Sequence, residues 1–326
     1  MITVVVPTVG RASLAATLAA VDADLPVIVV DDRPLTSGAE PLRTRPGVRM
    51  LRSGGRGPAA ARNTGWRAAT TPWVVFLDDD VVPSDGWGEA LRADLAGLPA
   101  DVGASQARLE VPLPAHRRPT DAERNTAGLA GAEWITADIA YRRAALEATG
   151  GFDERFPRAY REDADLALRV RAAGSRLVKG ERVTRHPVRD DGFWASARFQ
   201  RGNADDALMR RLHGPGWRSA IGGAPGRLRR HAVTTFLGVL SLVLATAAVP
   251  RRATGPGGLF GRGRRLGTAA VVAGAGWAAM TAEFAWARVS PGPRTPREIT
   301  RMVVTSVAIP PLACAHRLRG ELSVRR

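Results

Sequence analysis

The sequence has very little cysteine: Cys314 is the single thiol in 326 residues. One thiol cannot build a disulfide framework or a zinc site made of several cysteines, and it fits a reducing compartment. The sequence also lacks a recognisable secretory signal, because its first apolar run, residues 2–7, is only as long as a strand and has no basic flank. We therefore expect the N-terminal half of the chain to stay in the cytoplasm.

Acidic residues are scarce in the last hundred positions. Residues 227–326 contain 16 basic and 3 acidic residues, whereas residues 1–226 contain 31 and 28, so the net charge of +16 comes almost wholly from the C-terminal part. That part also holds the longest uncharged apolar runs, and a basic, apolar sequence is typical of a membrane surface. No nucleic-acid-binding motif or pattern of stacking aromatics accompanies the charge, so we expect no nucleic-acid partner.

Short apolar runs alternate with helix-forming segments over the first 200 residues. The expected strands are residues 2–7, 27–30, 48–51, 73–77 and 137–141, and the expected helices are residues 13–23, 59–69, 85–98, 143–149, 163–173 and 193–212. We expect a mobile polar loop at residues 111–126. Continuous apolar strands separated by helices predict an α/β fold with a mainly parallel sheet covered on both faces, which binds ligands beyond the carboxyl ends of its strands.

Carboxylates follow two of the expected strands. Asp78, Asp79 and Asp80 come directly after residues 73–77, and three adjacent carboxylates repel one another unless a hard divalent cation such as Mg²⁺ or Mn²⁺ binds them. The alternative is a solvated acidic turn that caps the next helix. Asp31 and Asp32 follow residues 27–30, where a carboxylate can accept a hydrogen bond from a base or a ribose hydroxyl. The alternative there is an ordinary polar turn.

Two further segments lie at helix starts. The glycine-rich residues 54–58 precede a helix and suit the approach of a phosphate, although they match neither a P-loop nor the full Rossmann glycine spacing. Glu162, Asp163 and Asp165 lie in the first turn of another helix, where the helix dipole favours acidic residues. The functional alternative makes Asp163 a general base for a hydroxyl group.

In order and spacing, these segments resemble family 2 glycosyltransferases of the GT-A fold over residues 1–212. The resemblance is carried by Val5-Val6-Pro7-Thr8, Val29-Val30-Asp31-Asp32, Gly57-Pro58-Ala59-Ala60-Ala61-Arg62-Asn63-Thr64-Gly65, Phe76-Leu77-Asp78-Asp79-Asp80, Tyr141-Arg142-Arg143, Gly150-Gly151-Phe152-Asp153-Glu154 and Arg161-Glu162-Asp163-Ala164-Asp165-Leu166. It implies a Rossmann-like catalytic domain that transfers a sugar from a nucleotide donor.

The resemblance also implies roles for individual residues. The donor and nucleotide residues would be Pro7, Thr8, Asp31, Asp32, Arg62, Asn63, Asp78 and Asp79. Asp78 and Asp80 match the Asp-x-Asp pair that holds the metal, with His186 as a further residue near the metal or diphosphate. Asp163 matches the catalytic base. The acceptor side would be formed by Trp134, Asp138, Gly151, Phe152, Asp153 and Glu162.

The implied substrates are a UDP-, GDP- or dTDP-sugar and an acceptor hydroxyl on a glycan, a lipid-linked molecule or a small molecule. The implied cofactor is Mn²⁺ or Mg²⁺, and the implied reaction is a single inverting displacement. One motif of the family is missing: residues 199–203 only loosely match the Gln-x-x-Arg-Trp sequence of processive synthases. We therefore expect transfer of single sugars.

The C-terminal part allows three interpretations. Residues 232–249 and 266–282 are uncharged for 18 and 17 residues, marginally enough to span a bilayer, whereas the 14 uncharged residues 302–315 are too few. A spanning hairpin would put Arg251, Arg252, Arg262, Arg264 and Arg265 on the far side, against the positive-inside tendency. Helices lying in the cytoplasmic leaflet would avoid this, and a helical subdomain packed on the catalytic domain is the third possibility.

These patterns predict a catalytic domain at residues 1–213, a basic Gly/Pro linker at 214–231 and a membrane-associated helical region at 232–326 that contacts lipid at the cytoplasmic face. Other function classes remain open. A nucleotidyltransferase could share the sheet and the acidic metal site, although Val9-Gly10-Arg11 is shorter than its usual glycine-rich loop. A non-catalytic scaffold could bind nucleotide-sugar without turnover, and a membrane adaptor would explain the basic tail but not the acidic strand ends.

Overall fold

The computed structural model describes residues 1–38, 40–249 and 259–324. These residues divide into two compact units. The first unit comprises Met1–Leu113, Glu123–Arg189 and Met209–Ala224, and the second comprises Pro114–Ala122, Asp190–Leu208 and Pro225–Arg326. The chain therefore leaves the first unit twice, at residues 114–122 and 190–208, before it enters the C-terminal helices.

An eight-stranded sheet organises the first unit, counted over the described residues. The strands are β1 (Ile2–Thr8), β2 (Val27–Asp31), β3 (Arg49–Arg52), β4 (Trp73–Leu77), β5 (Val82–Pro83), β6 (Val102–Glu110), β7 (Asp138–Arg142) and β8 (Arg176–Arg185). Their order is β3-β2-β1-β4-β7-β6-β8-β5. Strands β3, β2, β1 and β4 are parallel to one another, and β7 is antiparallel to both β4 and β6. The α/β fold is confirmed, and its sheet is parallel on one side and mixed on the other.

Helices join and cover the strands. They are α1 (Leu14–Ala20), α2 (Pro58–Ala68), α3 (Trp87–Leu95), α4 (Asp121–Ala127), α5 (Arg143–Thr149), α6 (Glu162–Ala172), α7 (Ala195–Arg198), α8 (Gly202–His213), α9 (Trp217–Ala220), α10 (Leu228–Ala248), α11 (Leu259–Val289) and α12 (Pro296–Val324). Short 3-10 turns lie at Leu35–Ser37, Gly128–Gly131 and Phe199–Arg201.

The central strands are buried on both faces, as their uninterrupted apolar sequences predict. One face of β1 and β4 packs with α1 and α3, in a cluster that includes Val4, Val75 and Trp87. The other face packs with α2, α5 and α6, in a cluster that includes Val5 and Phe76. This two-sided packing fixes the carboxyl ends of β1, β2 and β4 at one edge of the sheet, where the predicted site residues lie.

The sequence did not predict β5, β6 and β8, and two other expectations need correction. The polar stretch 111–126 is not one loop, because α4 begins at Asp121. The helix expected at 193–212 is divided into α7, a 3-10 turn and α8. Strands β6 and β8 escaped detection because glycine and charged residues interrupt their apolar pattern.

Three long helices, α10, α11 and α12, make up most of the second unit. Among the described residues, two helices are apolar and long enough to cross a membrane by length and composition: α10, with a mean hydropathy of 1.7, and α12, with 1.2. The 14 uncharged residues 302–315 were expected to be too few to span a bilayer. This expectation was wrong, because α12 continues well beyond them at both ends. Helix α11 is not one of the two candidate spans. Arg251 and Arg252, which a spanning hairpin would place on the far side of the membrane, lie outside the described residues.

The exposed side chains of α10 are more apolar than its buried ones. Its buried residues are His231 and Thr234, whereas Phe236 and Leu242 are 63% and 70% exposed. Only 6% of its most apolar window is buried in the structure. A helix in water normally turns such side chains towards a core, so this face needs an apolar environment that the described residues do not supply.

Candidate active site

A cleft of about 350 Å³ opens at the carboxyl ends of the parallel strands. Ten of the predicted site residues line it: Pro7, Thr8, Asp32, Arg62, Asp78, Asp79, Asp80, Glu162, Asp163 and His186. All belong to the first unit. The topology brings them together because β1, β2 and β4 run in the same direction and end at the same edge.

Asp79 organises the start of the cleft. Its carboxylate is 1% exposed and accepts hydrogen bonds from the Thr8 hydroxyl at 2.5 Å and from the Arg11 guanidinium at 2.5 Å. The Thr8 hydroxyl in turn accepts the backbone N–H of Gly10 at 2.9 Å. Asp79 therefore ties the end of β1 to the end of β4, and both of its oxygens are committed to that task.

Asp80 lies deeper than its neighbour Asp78 and faces three basic side chains. Arg189 and Arg11 lie 2.9 Å and 3.8 Å from one carboxylate oxygen, and the Nε2 atom of His186 lies 3.9 Å from the other. Burial, followed by the charge of Asp78, raises the pKa of the Asp80 carboxyl above its ordinary value. A cation at this point relieves the repulsion between the two carboxylates.

The donor set at Asp80 fits a hard divalent cation. A carboxylate is the ligand that Mn²⁺ and Mg²⁺ both prefer, an imidazole nitrogen suits Mn²⁺ better than Mg²⁺, and such ions keep open positions for phosphate oxygens. Among residues 1–38, 40–249 and 259–324, no three His, Cys, Asp or Glu side chains are grouped as a complete metal site. Asp80 and His186 could therefore supply part of the ligand set, and a diphosphate would have to complete it.

Arg62 joins the acidic triplet to the start of α6. Its guanidinium donates to Asp78 and to Glu162, each at 2.7 Å, while the side chain is only 1% exposed. The two carboxylates raise the pKa of Arg62 despite its burial, so the guanidinium stays charged. This ion pair network holds the ends of β4 and α6 at a fixed separation across the cleft.

Glu162 and Asp163 form the opposite wall. The preceding residue, Arg161, has the left-handed φ of 78°, and its guanidinium stacks on the rings of Tyr160 and Trp217. Burial raises the pKa of both carboxyl groups, for Glu162 to about 8, with the charge of Asp163 as the second cause. A non-glycine residue in this conformation costs about 1–3 kcal/mol, and such strain is characteristic of functional sites.

Asp32 and Asp31 differ in their placement. Asp32 lines the cleft and accepts the Ser53 hydroxyl at 2.6 Å and the Gly57 N–H at 2.9 Å, so it fixes the glycine-rich loop. Both oxygens of Asp31 accept from Arg33, whose hydrogen bonds lower the pKa of the Asp31 carboxyl. Asp31 does not line the cleft.

Several residues predicted for the donor and acceptor sides support the walls from behind. The Asn63 amide donates to the Phe152 carbonyl and accepts its N–H, both at 2.9 Å, which locks the turn at Gly151–Asp153 against α2. None of these four residues lines the cleft among the described residues. Trp134 has a left-handed φ of 64° and is also outside the lining, but the next residues, 135–137, are part of it.

Asp138, which was predicted for the acceptor side, is buried and does not line the cleft. It is 1% exposed, and its carboxylate accepts from Trp87 at 2.6 Å, Thr184 at 2.6 Å and Arg182 at 2.9 Å. With its acceptor positions occupied by three buried partners, Asp138 holds β7, β8 and α3 together.

The sequence missed part of the cleft. Its unpredicted lining residues are Val9, Arg11, Pro58, Ala61, Leu129, Ile135, Thr136, Ala137, Ala159 and Arg189. Arg11 follows a glycine after the first strand, a signal that was too short to be assigned. Arg189 stands in a loop without any motif, and only the fold brings it to Asp80, more than 100 residues away in sequence.

Comparison with known proteins identifies a protein family that matches part of the chain. The sequence model described as Glycosyl transferase family 2 matches residues 3–148. The chain is 34% identical over 194 residues to a pre-mycofactocin glycosyltransferase of Mycobacterium tuberculosis, a match that covers 54% of this chain and 40% of that protein. The chain therefore matches less than half the length of this curated relative.

One solved structure shows the same architecture, and a second gives a lower score. The mannosyltransferase PcManGT from Pyrobaculum calidifontis, solved with GDP-Man and Mn²⁺, superposes with a TM-score of 0.54 at 19% identity, covering 97% of this chain and 86% of its own. Glucosyl-3-phosphoglycerate synthase from Mycobacterium tuberculosis was solved with Mn²⁺, UDP and phosphoglyceric acid. It superposes with a TM-score of 0.43 at 17% identity, and the match covers 66% of this chain and 79% of that protein. Residues 3–148 therefore match glycosyl transferase family 2, and the chain has the GT-A fold that its structural neighbour shows.

Proposed function

We propose that the chain is a metal-dependent inverting glycosyltransferase that moves one sugar from a nucleotide-diphosphate donor to an acceptor hydroxyl. The observation that carries this proposal is the shared cleft of Asp80 and His186 on one wall and Asp163 on the other. Asp163 is partly exposed there, and the backbone N–H of Ala164 donates to one of its oxygens at 2.7 Å. A carboxylate and a cation site in one cleft are what a displacement at a sugar phosphate requires.

The chemistry follows from these positions. The acceptor oxygen attacks the anomeric carbon, and the Asp163 carboxylate takes the hydroxyl proton. The bond between the anomeric carbon and the diphosphate oxygen breaks, and its electron pair leaves with the nucleoside diphosphate. Because attack and departure occur on opposite faces in one step, the anomeric centre inverts and no covalent enzyme intermediate forms.

A divalent metal, held by Asp80 with Asp78 and His186 nearby, would neutralise the charge that grows on the leaving diphosphate. The chain's own cations act beside it. Arg62 keeps Asp78 and Glu162 in place, and Arg11 holds Asp79, so the carboxylates do not spread apart when the cleft is empty.

The proposed donor is a UDP-, GDP- or dTDP-sugar, with Pro7, Thr8 and Asp32 as the base and ribose contacts. PcManGT was solved with GDP-Man, which makes GDP-mannose the first donor to test. The proposed acceptor is a hydroxyl group on a glycan, a lipid-linked molecule or a small molecule.

The substitution Asp163→Asn tests the function. It keeps the size of the side chain but removes the base, so we expect release of nucleoside diphosphate from the donor to fall by about 100-fold or more. Affinity for the nucleoside diphosphate itself should be unchanged, as measured by calorimetry with Mn²⁺. Asp101→Asn, in an exposed residue paired with Arg176, is the matched control and should retain activity. Full activity in the Asp163→Asn variant would show that the base is assigned wrongly.

We also propose that the second unit binds the membrane and that the first unit works on its cytoplasmic side. The support is the apolar exposed surface of α10, which has three arginines at its N-terminal end: Arg227, Arg229 and Arg230. Its 21 residues extend about 30 Å, the thickness of a bilayer's hydrocarbon core. Basic flanks of an apolar helix bind anionic headgroups.

A further inference from the structure

Each carboxylate of the acidic triplet pairs with an arginine. The shortest pairs are Asp78 with Arg62 at 2.7 Å, Asp79 with Arg11 at 2.5 Å, and Asp80 with Arg189 at 2.9 Å, and Arg11 also lies 3.8 Å from Asp80. The chain's own cations therefore offset part of the charge of the triplet before any ligand arrives. A metal that approaches Asp80 meets a carboxylate already engaged by a guanidinium.

The three pairs differ in how firmly they are held. Arg62 is 1% exposed and has Glu162 as a second partner, so it cannot leave without stranding a buried charge. Asp79 is equally buried and also holds Thr8. Arg189 is 43% exposed, and within the described part of the chain Asp80 is the one carboxylate within 4 Å of it.

Arg189 is also well placed for another partner. It lines the cleft together with His186, three residues earlier in the same segment. A guanidinium presents several N–H donors in a planar fork that matches phosphate oxygens and can bind them in pairs. Rotation of an exposed side chain is enough to change its partner, since no backbone bond has to break.

We infer that Arg189 exchanges partners during the catalytic cycle: it pairs with Asp80 in the empty cleft and turns to the donor diphosphate when a divalent metal takes its place on Asp80. The inference rests on the proposed function. Two cations on one carboxylate repel each other, and the diphosphate provides the negative charge that the displaced guanidinium needs. Arg189 is thereby both a competitor of the free metal and a ligand of the donor.

This exchange couples the two ligands. Metal alone has to displace Arg189 without offering it another anion, so it binds weakly. Metal and nucleoside diphosphate together satisfy both Asp80 and Arg189, so each increases the affinity of the other by the same factor. Removing the guanidinium should shift the two affinities in opposite directions, which loss of a merely structural residue would not do.

The test compares Arg189→Gln with the full-length wild-type chain. Mn²⁺ binding is measured by electron paramagnetic resonance without nucleotide, and UDP and GDP binding by calorimetry at saturating Mn²⁺. We expect the variant to bind Mn²⁺ alone several-fold more tightly and to bind the preferred nucleoside diphosphate about tenfold more weakly, the effect of losing one charge-assisted contact. Arg189→Lys, which keeps the charge but not the fork, should fall between the two in nucleotide affinity.

Arg185→Gln is the matched control, since Arg185 ends β8, is 61% exposed and lies outside the cleft lining. It should leave both affinities unchanged. If Arg189→Gln changes neither affinity, or weakens both, the exchange is refuted while the function stands. If the wild-type chain binds neither Mn²⁺ nor nucleoside diphosphate, the proposed function fails together with it.

Discussion

At the scale of single residues, Glu162 and Asp163 share one wall of the cleft and compete for ionisation. Glu162 is buried and Asp163 is half-buried at the start of α6, and burial raises the pKa of each. Arg62 offsets this by donating to Glu162 at 2.7 Å. A base in this setting holds its proton to a higher pH than an exposed aspartate does, which makes it a stronger proton acceptor once ionised.

The pH dependence of turnover follows from that direction. The base must be deprotonated to act, so kcat/KM should fall as the pH decreases, with a midpoint above about 4, the ordinary value for aspartate. The profile is measured from pH 4.5 to 9 with saturating metal. A profile that stays flat down to pH 4.5 would contradict the raised pKa.

Two adjacent glycines allow a clean separation of backbone strain from crowding. Gly150 and Gly151 have φ values of 75° and 79°, but a Cβ on Gly150 would meet nothing within 4 Å, whereas one on Gly151 would lie 2.5 Å from Asn63 and Trp66. We expect Gly150→Ala to cost about 1 kcal/mol from the left-handed conformation alone.

Gly151→Ala should cost about 1–3 kcal/mol more, because the new methyl group has to displace packed side chains. The measurement is the free energy of unfolding in urea for both variants, in the same detergent. Equal losses for the two variants would show that the turn at Gly151 adapts without cost.

The acidic residues of the site could be predicted from the sequence, but their cationic partners could not. A carboxylate after an apolar strand is a local pattern, and Asp32, Asp78 and Asp80 were found in this way. Arg11 and Arg189 form pairs over 68 and 109 positions, which no local pattern encodes. The buried partners of Asp138 could not be predicted for the same reason, because they come from α3 and β8.

At the scale of secondary structure, Arg182 holds together the half of the sheet that the sequence did not predict. It is fully buried on β8 and contacts Asp138 on β7, Asp94 on α3 and Ser105 on β6. Of the charged residues that made β8 look like a surface segment, Arg182 is the buried one, and its charge is neutralised inside the sheet. Strand β7 is antiparallel to its neighbours, and strand direction likewise has no signature in one sequence.

Removing Arg182 should be strongly destabilising. Arg182→Met preserves much of the volume but leaves Asp94 and Asp138 buried without their cation, which costs about 3–5 kcal/mol in comparable pairs. The thermal midpoint of unfolding measures the loss. Arg176→Met, at the exposed start of the same strand, removes a surface pair with Asp101 and should change the midpoint little. A similar small effect for both would mean that the buried network is dispensable.

At the scale of the whole molecule, the two units differ in what they need from their surroundings. The first buries its apolar strands within itself, whereas α10 exposes most of its apolar side chains. We expect the full chain to sediment with membranes and to remain there after a high-salt wash, since its apolar contact does not depend on ionic strength.

Leu242→Arg provides the comparison for this fractionation. It puts a charge on the exposed apolar face of α10 and should increase the fraction released. Arg229→Gln instead removes one basic residue that flanks α10, and it should alter the released fraction mainly at low salt. A wild-type chain found entirely in the soluble fraction would exclude the membrane proposal.

Two segments that interrupt the first unit, residues 114–122 and 190–208, have a consequence for biosynthesis. The strands of the described chain all lie between Ile2 and Arg185, so a ribosome completes the sheet before α10 emerges. Residues 114–122 and 190–208 belong to the second unit and cannot reach their final packing until the last hundred residues have been translated. A nascent chain stalled near residue 225 should therefore already resist protease over its sheet while these two excursions are still cleaved.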